Sequence, residues 1–336
     1  MHVALIREEG PLAQELKDRG IPVTVIPQRS RLSPTGIAQL SRHFRSIGAD
    51  VVHSHMYRSN IPATLAARWA RVPVILGHIH NVDSWDSPRQ QFVDRMVSRL
   101  RTRTLAVSEA VRQDVLRALS LADDRVGLLY NGIDTVEFAP NAAAREALRS
   151  AWGIAPGEVL LVVPARLHPQ KNPLGVLEAF GSVRGAARLA FVGAGKMEEE
   201  LKAAVEAKGL GGRVFLTGRR DDMAAVYNAA DAIVLSSLKE GFSNAVVEAL
   251  ACARPVIASD VGGNREALDS PAIGWIHNAG DTAALTAQMQ QAVDLGPEGL
   301  AGMGPACRLR SEVFSIDALV ENTHQLYGTL LGRFPS

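Results

Sequence analysis

Short runs of β-branched and apolar residues alternate with longer stretches of helical periodicity along almost the whole chain. Strands that alternate with helices pair in parallel, because each connection has to cross back over a face of the sheet. A first series of strands is predicted at residues 3–6, 23–26, 50–53, 74–77, 104–107 and 126–129, with helical stretches such as 61–70 and 109–119 between them. A second series is predicted at 159–163, 189–192, 214–216, 232–235 and 255–258, interleaved with helices that include 197–208 and 244–253. The segment 138–157 separates the two, with Pro140, a polar helical stretch and the turn Pro156-Gly157. The pattern predicts an α/β protein of two doubly wound Rossmann-like domains, 1–138 and 139–315. Ligands of such sheets lie beyond the carboxyl ends of the strands, so the expected active site is a cleft that the two domains face.

Composition narrows the class. The 336 residues carry 36 Lys+Arg against 35 Asp+Glu, with 47% hydrophobic and 21% charged residues, which excludes a disordered or collagen-like chain. No apolar run reaches the ~18 residues of a spanning helix. The start, Met1-His2-Val3-Ala4-Leu5-Ile6-Arg7, has no basic segment followed by an apolar one, so no signal peptide is expected. Cys252 and Cys307 make neither a disulfide framework nor a cysteine metal site, and the expected compartment is the cytoplasm. The charge is unevenly spread: residues 1–138 hold 18 Lys+Arg against 14 Asp+Glu. Arg89, Arg95, Arg99, Arg101 and Arg103 flank Phe92, Val93, Met96, Val97 and Leu100 at helical spacing. That is either a basic amphipathic face for an anionic membrane surface or a surface helix with its apolar side in the core. No module or aromatic interleaving points to nucleic acid.

Chemistry concentrates after the strands of the second series. Ser236-Ser237-Leu238-Lys239-Glu240-Gly241-Phe242-Ser243-Asn244 comes directly after a strand and opens a helix that carries Glu248. Gly241 permits an unusual turn, Ser243 is a candidate N-cap, and the free N–H groups of the helix start suit an anion such as a phosphate. Carboxylates at Glu240 and Glu248 can accept hydrogen bonds from sugar hydroxyls, although acids near a helix start also simply complement its dipole. Arg166 and Lys171 lie in the loop after the first strand of the second series and can neutralise a diphosphate. Val192-Gly193-Ala194-Gly195 is half of a dinucleotide fingerprint, and Ser259-Asp260-Val261-Gly262-Gly263 completes a ring of glycine-bearing loops.

Together these residues resemble the retaining glycosyltransferases of family 4, which have the two-domain GT-B fold. The resemblance is carried by Arg166-Leu167 with Gln170-Lys171, Val192-Gly193-Ala194-Gly195, Val214-Phe215-Leu216-Thr217-Gly218, Glu240-Gly241-Phe242 with Glu248, Asp260-Val261-Gly262-Gly263 and Asn131-Gly132-Ile133-Asp134. It implies a sugar donor that is a nucleoside diphosphate-sugar, with Arg166 and Lys171 on the diphosphate, Glu240 on the transferred sugar and Glu248 on the ribose. It also implies backbone amides offered by the glycine-phenylalanine turn, with Gly193, Gly241, Phe242, Ser243 and Asn244 among the donor-binding residues. The first domain would bind a lipid-linked or glycan acceptor, and a final helix at 316–331 would pack back on it. His80 matches the family histidine beside the reacting sugar; His78 lies one side-chain period away. The resemblance implies transfer with retention, no cofactor and no obligatory metal, in cell-envelope polysaccharide or glycolipid synthesis at the inner face of the membrane. Family members begin with a strand, a glycine-rich loop and a helix before the region matched here, so a first domain lacking that opening unit is expected.

Three other readings compete. The pairs His53-Ser54-His55 and His78-Ile79-His80, each at a predicted strand end, could bring four imidazoles together as the metal site of a hydrolase. A nucleotide-sugar epimerase of GT-B fold would use the same loops without an acceptor. A binder without catalysis fits the short first domain.

Overall fold

The computed structural model describes residues 1–28 and 30–333. The chain forms two compact units, one of residues 1–129 with the chain from Asn322 onward, the other Tyr130–Glu321. The change-over therefore falls at Leu129/Tyr130, and the segment 130–138 packs within the second unit. There Tyr130 packs at a tilt against Phe242 and edge-to-face against Phe314, with ring centroids 5.5 and 5.1 Å away. The helix Ile316–Leu330 begins in the second unit and ends in the first.

The first unit has β1 (Val3–Leu5), β2 (Val23–Val25), β3 (Val51–His55), β4 (Val74–Ile79), β5 (Arg103–Ala106) and β6 (Val126–Leu128). β1 pairs with β2, and β3 to β6 form a second sheet in chain order, all parallel. Among the described residues no ladder joins β1 to β3. A cavity of about 300 Å³ lies against both, lined by Ala4, Val52, His53 and the side chains of Leu40 and Phe44. The helix Pro34–Ser46 supplies those last two from one face, and Ser33 caps it by accepting from the Gly36 N–H. β4 is buried throughout, which is why it is a continuous apolar run and not an alternating one.

The second unit has β7 (Val159–Pro164), β8 (Ala187–Val192), β9 (Val214–Gly218), β10 (Ala232–Leu235), β11 (Val256–Ser259) and β12 (Gly274–His277). Their spatial order is β12-β11-β10-β7-β8-β9, again all parallel. Successive strands run outward from β7 in one direction, then from β10 in the other, so β7/β10 is the point where the winding reverses. β7, β10 and β11 are wholly buried, and their side chains meet Val176, Leu177, Phe180 and Leu201 in one core.

Several expectations are adjusted by these observations. β3 and β4 run further than predicted, so His53, Ser54 and His55 all lie inside β3 and His78 inside β4; only His80 comes after a strand. β12 was not foreseen, because Gly274-Trp275-Ile276-His277 has too few apolar residues to read as a strand. Arg101 is not a surface cation. Its guanidinium and the Asp94 carboxylate are both fully buried as an ion pair, with Thr64 Oγ1 at 3.2 Å and Thr104 Oγ1 at 3.4 Å accepting further N–H groups. The apolar residues of the helix Pro88–Ser98 divide: Val97 is buried and Val93 half-buried against Tyr57 and Ile61, whereas Phe92 is 63% and Met96 47% exposed.

Candidate functional site

In the second unit the loops after β7 and β10 flank the reversal point of the sheet, and they carry the predicted residues. Lys171 closes a short 3-10 turn, Pro169–Lys171, and its ammonium forms an ion pair with the Glu240 carboxylate from the other loop. Ser237 Oγ donates to the same Glu240 oxygen at 2.6 Å. Two further bonds tie the loops: Gln170 Nε2 donates to the Lys239 carbonyl and the Leu238 N–H donates to the Gln170 carbonyl, both at 2.8 Å. Glu240 is thus buried, ionically paired and held in place. Arg166 is exposed at the start of its loop and makes no ion pair among the described residues.

The glycines explain how these loops fit together. Gly193 has φ +146°, and a Cβ there would stand 2.2 Å from the Ala165 carbonyl oxygen, so only glycine lets the loop after β8 lie against the one bearing Arg166. Gly262, at φ +54°, approaches the Glu240 and Gly241 carbonyls in the same way, and the Gly263 N–H donates to the Gly241 carbonyl at 2.9 Å.

Ser243 occupies the N-cap of the helix Asn244–Ala251, but its hydroxyl makes no capping bond. Asn244 is exposed and its Oδ1 accepts from Asn131 Nδ2 at 3.0 Å. The Phe242 ring is buried against Tyr130 and Phe314, so its side chain positions the turn and only its backbone faces the loop. Glu248 sits a turn further on, where Tyr227 donates to Oε2 at 2.6 Å. Burial pushes its carboxyl above the usual carboxylate range, partly offset by that bond.

His80, in the first unit, belongs to a square of four imidazoles on β3 and β4. Ring centroids are 4.4 Å apart along each strand (His53/His55 and His78/His80) and 5.3 Å across (His53/His78 and His55/His80). His55 Nδ1 and His80 Nε2 share a hydrogen bond of 3.0 Å, and His53 Nδ1 shares one of 2.7 Å with the Tyr327 hydroxyl. His78 is buried with neither ring nitrogen in hydrogen-bond geometry; the Leu129 backbone acts on it only as a weak raising influence. Burial first, and the neighbouring rings second, push the imidazoles down: His78 to about 2, His53 to about 3 and His80 to about 4. All three are neutral at pH 7. One nitrogen each of His53, His55 and His78 lies within 4.8 Å of the others, a donor set that could hold a zinc-like cation.

Two family models divide the chain between them. Residues 2–137 match Glycosyltransferase Family 4, and residues 144–303 match Glycosyl transferases group 1. The chain belongs to the family 4 glycosyltransferases. The UDP-Gal:alpha-D-GlcNAc-diphosphoundecaprenol alpha-1,3-galactosyltransferase of Escherichia coli is 25% identical over 276 residues, 77% of this chain and 71% of that protein. A D-inositol 3-phosphate glycosyltransferase of Mycobacterium sp. (strain KMS) is 30% identical over 254 residues, 70% of this chain and 57% of that one. Among solved structures, Alr3699/HepE of Anabaena in complex with UDP has a TM-score of 0.89 at 20% identity, covering 98% of this chain and 92% of that one. That likeness is to the GT-B fold, two Rossmann-like domains.

For this glycosyltransferase the structure brings Lys171, Glu240 and the Gly193, Gly241 and Gly262 loops together in the second unit, sets Glu248 behind them on Tyr227, and places His80 in the first. Sequence reasoning grouped His55 with the other three imidazoles but passed over Ser237, Gln170, Tyr227 and Tyr327 as partners. Ser237 meets Glu240 three positions on in the same loop, whereas Gln170, Tyr227 and Tyr327 meet partners 21 or more positions away, and nothing local marks them.

Proposed function

We propose that the chain is a retaining glycosyltransferase that moves a sugar from a nucleoside diphosphate-sugar, a UDP-sugar in the reading favoured by the E. coli relative's name, to a lipid-linked or glycan acceptor. The observation that carries this is the Lys171–Glu240 pair on the two loops at the reversal point of the second sheet. In the reaction the bond from the sugar's anomeric carbon to the diphosphate breaks, and the acceptor oxygen bonds to the same face. The acceptor's proton leaves to the departing diphosphate. The growing negative charge there is met by Arg166, Lys171 and the uncapped N–H groups at the start of the helix Asn244–Ala251, fixed charges that need no metal. Glu240 exchanges its ion pair for sugar hydroxyls as the diphosphate draws Lys171 away. Glu248 accepts from the ribose, and neutral His80, steadied by His55, orients the sugar.

Work at the inner membrane face is supported by Phe92 and Met96, exposed beside Arg89, Arg95 and Arg99. Among the described residues no helix is long and apolar enough to cross a membrane.

The test is a thermal-shift screen of nucleotide sugars, then transfer of the stabilising sugar to acceptors in a membrane lipid extract. Glu240→Ala is expected to lower turnover by about 100-fold or more. Full activity in that variant removes the role of Glu240. Conversion of the nucleotide sugar without acceptor, or stabilisation without any turnover, overturns the transferase reading.

A further inference from the structure

The arginine excess of the first unit converges on one cavity. It measures about 640 Å³ and is lined by Arg7, Arg31, Arg58 and Arg89, with Gln28 and Tyr57 between them. No carboxylate is among its lining residues, and none of the four guanidiniums makes an ion pair among the described residues. Arg31 is held by an aromatic face instead: its guanidinium carbon lies 4.3 Å from the centre of the Tyr57 ring. The carboxylates felt at Tyr57 are Asp94, which is committed to the buried Arg101, and Asp86, which stands outside the lining. The Gln28 amide is buried at both its oxygen and its nitrogen without a partner for either. Four like charges around one space repel each other, and an anion relieves that repulsion. Guanidinium forks match the paired oxygens of a phosphate. Beyond the cations the lining turns apolar at Ile61 and Val93, leaving room for more than the anion alone.

We infer that this cavity binds the phosphate or diphosphate group of a phosphorylated acceptor, with Arg31, Arg58 and Arg89 as its principal contacts. The word acceptor rests on the transferase reading above; the anion site does not. The phosphate could belong to a lipid diphosphate or to a soluble sugar phosphate, and the two are told apart by the apolar end of the cavity.

The experiment titrates the full-length chain calorimetrically in saturating UDP, which occupies the other phosphate-binding loops, using inorganic pyrophosphate, farnesyl diphosphate and glucose 1-phosphate as probes. Pyrophosphate is expected to bind, more weakly as salt is raised. Arg58→Gln/Arg89→Gln is expected to weaken it by about 10- to 100-fold while UDP binding and the circular dichroism spectrum stay unchanged. Farnesyl diphosphate binding more tightly than pyrophosphate assigns a lipid source, and glucose 1-phosphate binding more tightly than either assigns a soluble one. Failure of the wild type to bind any of the three, or equal binding by the double variant, overturns the inference. Failure of UDP itself to bind counts against the transferase reading alone, and the pyrophosphate titration then tests the cavity through its loss in the double variant. Should that variant misfold, Arg89→Gln alone, at an exposed position, gives the same comparison.

Discussion

The square of histidines should make the first unit acid-labile by an amount that can be worked out. In the folded chain His80, His53 and His78 are held at about 4, 3 and 2, against an ordinary value of 6.5. Above pH 6.5 neither folded nor unfolded chain carries these protons, so stability is at its full level. As pH falls below 6.5 the unfolded chain takes up protons that the folded one refuses, and stability is lost progressively down towards the folded values. At pH 5 each such ring costs about 2 kcal/mol, and three independent rings would cost about 6 kcal/mol. That is on the order of the whole stability of a domain.

His78→Leu isolates one share of this. It removes a buried imidazole whose nitrogens have no hydrogen-bond partner, for a side chain of similar volume. Urea unfolding at pH 8, 7, 6 and 5, in EDTA so that no bound metal interferes, tracks the transition of the first unit. The wild type should lose most of its midpoint between pH 7 and 5. The variant should match or slightly exceed it at pH 8 and exceed it by about 2 kcal/mol at pH 5, about 1 M in urea midpoint. In the second unit His277 is the histidine held below its ordinary value, so that transition should move less. A wild-type first unit whose midpoint does not depend on pH in this range, or a His78→Leu variant that falls as steeply as the wild type, would refute the reasoning.

The second unit gives three further expected outcomes. Lys171→Ala leaves the buried Glu240 carboxylate with Ser237 alone and removes a cation from the phosphate loops; turnover should fall by about 100- to 1,000-fold and UDP affinity with it, read by steady-state kinetics and calorimetry. Gly193→Ala must push a methyl into the Ala165 carbonyl from a left-handed backbone, so the second unit should lose about 1–3 kcal/mol and the Arg166 loop its UDP affinity, while the unfolding of the first unit is unchanged. Asp231, 1% exposed, pairs with Arg145 and with Arg149 at 2.9 Å and accepts the Leu160 N–H at 2.7 Å. Asp231→Ala should therefore cost about 3–5 kcal/mol, seen as an early urea transition confined to the second unit.

How much of this was legible in the chain depends on how far each signal reaches. β7, β8, β10 and β11 were visible because a strand buried on both faces is a local apolar run, whereas β12, with Trp275 and Ile276 half-buried, carries too little of that pattern. The loops after the strands were visible for the same reason: once a strand is placed, the loop at its carboxyl end is at the ligand end of the sheet. Pairings were not. Lys171 and Glu240 are 69 positions apart, and only the β7/β10 adjacency brings them together. Arg101 shows the opposite failure, since an arginine at the end of a basic helical stretch reads as solvated until Asp94 and two threonines close around it. The arginine excess of the first unit lies between these cases. Its sign could be counted from the chain, but Arg7, Arg31, Arg58 and Arg89 are spread over four separate segments and share no motif. A charge count distinguishes neither a solvated face from a membrane face nor either of them from a cavity. The deciding fact is whether the cations meet carboxylates. In this unit the buried Arg101 does and, among the described residues, the four cavity arginines do not, so their guanidiniums are available to an anion from outside the chain.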